Sequence, residues 1–180
     1  MDEEQLDDWV TGAAVRTRHR RRAAAPPDVL WAAARDLRLS ETGTLGRLVR
    51  WRIPGTDPDQ TFRGLLAEYP FVVLDEGERW SMSGLCGRIW TLNRDYPRLD
   101  GPEAFRAWDE PGTVRVLFAH SVRPDGDGAS EIVSEARVAA VDRAADVRLR
   151  SLWMLVGVFE RLIGAESLEL AVARAEGRRR

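Results

Sequence analysis

The densest hydrophobic pattern of the chain lies near its C-terminus, between Asp146 and Glu176. Leu149, Leu152, Trp153, Val156, Phe159 and Ile163 recur at helical spacing and make one apolar face. Met154, Leu155, Val158 and Leu162 fill most of the remaining circumference, so this helix is apolar nearly all round. Such a helix is buried on more than one side. The apolar run stops at Glu160-Arg161, short of the roughly 20 residues a bilayer requires. The rest of the chain must therefore supply a surface that wraps it.

Upstream, residues 1–8 read as a mobile or weakly helical acidic tail. Val10 to Ala25 has the Thr, Val, Arg and His content of a first strand and ends at Pro26-Pro27-Asp28, which opens a helix. Val29, Leu30, Ala33, Ala34 and Leu37 form the apolar side of that helix. A second short helix is predicted from Ser40 to Val49, followed by the turn cluster 54–59. Strand-like runs then come at short intervals, at 61–69, 71–75, 79–92, 104–109, 113–122 and 131–141. Val114, Val116, Phe118 and His120 alternate with Arg115, Leu117, Ala119 and Ser121, which is the period of a strand with two unlike faces. Strand, two helices, six strands and a long last helix give an α+β layout: a tail (1–9), one domain (10–177) and a basic C-terminal end (178–180).

Composition narrows the chemistry. With 180 residues, 44% hydrophobic and 31% charged, the chain suits one domain with its own core, and a net charge of −2 gives no overall pull toward nucleic acid. All 27 basic residues are arginine, which excludes Schiff-base lysine catalysis and a phosphate-binding Walker lysine. Cys86 is the single cysteine and the N-terminus is acidic, so a cytoplasmic protein without disulfides is expected.

The element order, together with Ala25-Pro26-Pro27-Asp28-Val29-Leu30-Trp31 after the first strand, resembles the SRPBCC (START-like) superfamily. Gly84-Leu85-Cys86-Gly87-Arg88-Ile89-Trp90, Phe105-Arg106-Ala107-Trp108 before Pro111-Gly112, Ser134-Glu135-Ala136-Arg137-Val138 before Asp142, and Trp153 in the last helix are similar to stretches of its uncharacterised actinobacterial branch. The chain departs from that branch at Gly164-Ala165-Glu166-Ser167, where relatives carry a basic stretch and where a bend is expected. The resemblance implies a helix-grip fold: a seven-stranded curved antiparallel sheet around the terminal helix, enclosing an apolar cavity. It implies no single activity, since the superfamily includes lipid carriers, hormone receptors and polyketide aromatase/cyclases.

Glu135 and Arg137 lie two apart on one strand and share a face, and Arg88 shares one with Trp80, Cys86 and Trp90. If those faces meet in the cavity, Arg88 and Arg137 would hold a ligand carboxylate or enolate, with Glu135 balancing the charge. Trp80, Trp90, Trp108, Phe118, Trp153 and Val156 would be its walls. The competing reading is an ion network that fixes strand register and touches no ligand. His120 alternates with Phe118 and Val116 on the expected inward face, either as a general base or, more commonly for a lone strand histidine, as a core residue. His19 is expected to be exposed among arginines.

Other motifs carry less. Cys86 reads as an inert buried thiol. An EF-hand loop starting at Asp125 would need a carboxylate where Ala136 stands, and no cluster has zinc spacing, so no metal or other cofactor is implied. Gly84 and Gly87 read as a bulge or a close backbone approach. Strand alternation splits the basic run 16–22 between faces beside an acidic tail, which argues against binding nucleic acid or a membrane surface, and the short apolar run of the last helix argues against stable membrane insertion. The leading expectation is a binding or transport protein for a hydrophobic, lipid- or polyketide-like molecule. A polyketide cyclase/aromatase-type enzyme is the alternative, and a homodimer through sheet edges or the 93–102 loop is a third.

Overall fold

The computed structural model describes residues 3–91 and 96–178, with Arg52 and residues 154–164 described as backbone only. Five strands form one antiparallel sheet: β1 (Val15–Ala23), β2 (Val72–Gly77), β3 (Trp80–Gly87), β4 (Val114–Pro124) and β5 (Ser130–Ala140). Their spatial order is β1-β5-β4-β3-β2, so β2 to β5 run as a meander and β1 joins beside β5. Six α-helices accompany them among the described residues: α1 (Glu3–Asp7), α2 (Pro27–Arg35), α3 (Thr44–Arg52), α4 (Phe62–Ala67), α5 (Pro102–Arg106) and α6 (Arg143–Ala175).

Local chemistry accounts for most of the ends. Pro27 opens α2 where its missing N–H costs nothing. Asp142 caps α6, its carboxylate accepting from Ala145 N at 2.7 Å and from Gly112 N at 2.6 Å. The β4–β5 turn is built on Gly126 and Gly128, both at positive φ, and Asp125 holds Arg22 at 3.0 Å.

Two expected strands are helices. At 61–69, Thr61 accepts from Gly64 N at 3.1 Å as an N-cap, and Phe62, Leu65 and Leu66 fall at helical spacing, giving α4. At 104–109, Gly101 at φ 134 and Pro102 at the first helical position start α5 instead. The seven-stranded expectation is thus corrected to five strands among the described residues. The third also ends early: β3 stops at Gly87, whose φ of 133 breaks the ladder before Arg88. The acidic tail is no loose segment either, since residues 3–7 form α1 and Leu6, Trp9 and Val10 are buried. α6 is assigned without interruption through residues 164–167.

The sheet separates two apolar layers. On the outer face Met82, Cys86, Leu117, Ala119 and Ala139 pack under α1 and α5 with Leu6, Trp9, Val10 and Phe105. The Gly84 reading as a close approach has its cause here, because a Cβ at that position would lie 2.6 Å from the Phe105 ring. On the inner face α6 crosses the sheet. Val15, Val114, Val116 and Val138 gather with Leu149 at one end, and Val122 and Ile132 with Leu168, Ala171 and Val172 at the other. Sheet, α2 and α3 after β1 each packed on α6, and terminal α6 across the inner face make the helix-grip layout with a smaller sheet.

Candidate functional site

Between the two inner clusters the packing opens. Phe118 and His120 on β4, Ser134 and Ala136 on β5, and Thr17 and His19 on β1 remain partly exposed. Their neighbours on the outer face do not: Leu117 and Ala119 are 0% exposed, Glu135 is 3% and Arg137 is 1%. β4 and β5 are interior strands of the sheet, and α6 lies over this side. Accessible side chains at their centre therefore line a hollow rather than a rim.

The hollow has a mouth between α2, α4 and the β2–β3 hairpin. A recess of about 50 Å³ is lined by apolar Trp31, Leu37, Phe62, Leu66, Ile132 and Leu168, with Ser81, His120 and Ser167 as neutral polar members and Arg35 and Arg63 as charged ones. A second recess, of about 210 Å³, shares Trp31, Arg35, Arg63 and Ser81 and adds Glu76, Glu78 and Trp80. The first alone has room for only a few waters, and it shares its Trp31, Arg35, Arg63 and Ser81 edge with the larger second recess. A third recess, about 490 Å³, lies at the 53–60 loop beside Glu68, Tyr69 and Tyr96. Its polar groups already serve one another: Gln60 donates to Glu68 at 2.9 Å, and the Tyr69 hydroxyl to Tyr96 O at 2.9 Å.

His120 sits at the floor of the mouth. Burial pushes its pKa down from 6.5 to about 4, so the ring is neutral at physiological pH. Register sets it beside Ser81 on β3 and Ser134 on β5. Phe118, one inward position earlier, meets Phe71 edge-on with ring centroids 5.8 Å apart.

The expected site residues scatter around this geometry. Phe118 and His120 face the hollow, and Trp90 and Trp153 are half-buried against the inner cluster of Val114 and Val116. Trp108 packs on the outer layer, where its indole donates to Thr113 Oγ1 at 2.9 Å, and Trp80 packs against that layer while also lining the second recess. The expectation that Arg88, Glu135 and Arg137 converge in the cavity is corrected. Arg88 follows the end of β3, is exposed and lies 3.9 Å from Glu110. Glu135 and Arg137 pair across the ladder with Ala119 and Leu117, which are outer-face residues. There Arg137 donates to Glu135 at 2.6 Å and to Asp7 of α1, while Arg16 and Arg18 approach Glu135 at 3.5 Å each. Val156 lies among the residues whose side chains are not described. His19 is half-buried on the inner face rather than exposed. Cys86 is 1% exposed, and burial pushes its thiol up to about 12, which suits an inert core residue.

Sequence reasoning missed Ser81, Ser134, Ala136 and the mouth residues Trp31, Phe62 and Leu66. The alternation of β4 was the available signal, but the partners of His120 follow only once strand register is known.

No protein-family model matches the chain, and no curated protein matches it. Among solved structures it is similar to an aromatase/cyclase from Streptomyces sp. R1128, at 16% identity and a TM-score of 0.39, covering 92% of this chain and 96% of that one. A hypothetical protein from Helicobacter pylori is similar at 10% identity and TM-score 0.43, covering 94% and 93%. Norcoclaurine synthase from Thalictrum flavum is similar at 14% identity and TM-score 0.38, covering 98% and 92%. At such identities and superpositions none of them lends this chain a residue role, and its site stands on its own geometry.

Proposed function

We propose that this chain binds a small molecule with an apolar body, lipid- or polyketide-like, in the space between the inner sheet face and the middle of α6. The observation that carries this reading is the partial exposure of Phe118, His120, Ser134 and Ala136 at the centre of the interior strands, on the side that α6 covers. Aromatic rings flank that space at both ends: Phe71, Phe118, Trp90 and Trp153 on one side, Trp31 and Phe62 on the other. Such walls suit a flat or greasy ligand, with a few polar groups to fix its orientation.

Uptake of the neutral dye Nile red tests the reading. The wild type is expected to brighten and blue-shift the dye, whereas Ala136→Leu, which fills the centre of the hollow, removes uptake without lowering the melting temperature. A wild type that leaves the dye dark, or an Ala136→Leu variant that binds it equally well, overturns the proposal. Native mass spectrometry of protein purified from its own host would then identify the resident molecule by its mass.

The cyclase/aromatase-type alternative relied on Arg88, Arg137 and His120 acting together. Only His120 remains at the hollow, and it has no orienting hydrogen-bond partner among the described residues. A neutral imidazole without such a partner is a poor general base, so binding is the better supported reading.

A further inference from the structure

The chain has two histidines, and strand register puts both on one line. Ser81 stands opposite His120, His120 opposite Ser134, and Ser134 opposite His19. All four lie on the face that α6 covers, and all four are partly exposed. With neighbouring strands about 4.8 Å apart, they make a polar row about 14 Å long across the inner face, between the two inner apolar clusters. Its middle offers two-way hydrogen bonding: a neutral imidazole has one donor and one acceptor, and each serine hydroxyl has both.

Charge is missing from the row and already neutralised around it. At the mouth Arg35 lies 3.1 Å from Asp36 and Arg63 lies 3.1 Å from Glu76. Arg21, the inward arginine of β1, lies 3.1 Å from Glu169 on α6. Each of these described guanidiniums thus already holds a carboxylate. An anionic ligand drawn into the hollow would lose its hydration without gaining a free counter-charge from these described arginines, whereas a hydroxyl or carbonyl would find partners in the row.

Building on the binding reading above, we propose that the hollow selects a neutral ligand with hydroxyl or carbonyl oxygens along one edge, aligned by Ser81, His120 and Ser134, over a carboxylate of the fatty-acid kind or a plain hydrocarbon.

Three probes of one size separate these classes: 2,7-dihydroxynaphthalene, naphthalene and 2-naphthoate, titrated calorimetrically at pH 7 into the full chain and into His120→Phe and Ser134→Ala. The diol is expected to bind at least about tenfold more tightly than naphthalene, and 2-naphthoate more weakly than either. Each variant should lose about tenfold for the diol while keeping its affinity for naphthalene, which also reports that the variant is folded. Naphthalene binding as tightly as the diol, 2-naphthoate binding tightest, or unchanged diol affinity in both variants overturns the neutral-row assignment and leaves the hollow itself standing. If none of the three binds and Nile red stays dark, the binding reading fails and this assignment with it.

Discussion

His120 is uncharged at neutral pH because the partly closed hollow hydrates its cation poorly, which moves its pKa from 6.5 to about 4. Between those values the unfolded chain binds a proton that the native chain does not, so this group lowers stability as pH falls through the window. The melting temperature of the wild type is expected to drop between pH 7 and pH 5, and by less in His120→Phe; equal drops would assign the loss to other groups. Arg137 shows how far residue-scale reading reaches. Its spacing from Glu135 places the two on one face with certainty, because strand side chains alternate. The choice of face rests on register, and register puts the pair opposite Leu117 and Ala119, beneath α1. The arginine expected at a ligand is instead buried in an ion network with Glu135 and Asp7.

Among the elements, α3 is held in an unusual way. Glu166 on α6 accepts from the backbone of Gly43 at 2.5 Å and of Leu45 at 2.8 Å, so a side chain from another helix caps the N-terminal end of α3. Gly46 allows the first turn to sit against the preceding 3-10 turn (Leu39–Glu41), since a Cβ there would lie 2.5 Å from Leu39 O. Glu166→Ala is therefore expected to raise amide hydrogen exchange across 44–52 by at least about tenfold while β4 and β5 stay protected. Exchange confined to the wild-type level would mean that α3 is held by its apolar contacts alone. The departure of this chain at 164–167 thus gains a physical role as the clamp on α3. α4 and α5 were the elements least legible in the sequence. Both are short and carry apolar residues that fit either period, and their start signals, Thr61 and Gly101-Pro102, are visible mainly in hindsight.

At the scale of the molecule, the N-terminal segment closes the outer layer. Leu6, Trp9 and Val10 are buried there, Trp9 meets Phe105 at 6.4 Å between centroids, and Arg106 stacks over Trp9 at 4.2 Å. Removing residues 1–10 is expected to lower the melting temperature by more than about 10 °C, because it bares apolar surface and takes Asp7 from a buried arginine. A truncated chain that melts within a few degrees of the full one would return α1 to the status of a dispensable tail. No helix among the described residues is long and apolar enough to cross a membrane. The sequence by itself determined the α+β class, the alternation of β4, the helix start at Pro27 and the long terminal helix, while the residues 154–164 that argued for its burial all round lie outside the described side chains. Each of those rests on contacts within a few residues, or on a period that one chain segment carries alone. Only the tertiary structure decided which sheet face meets α6, that β1 lies beside β5, and that Ser81, His120, Ser134 and His19 fall on one row. Those facts depend on strand pairing between residues as far apart in the chain as Val15 and Val138, and a one-residue slip in that pairing would exchange the two faces.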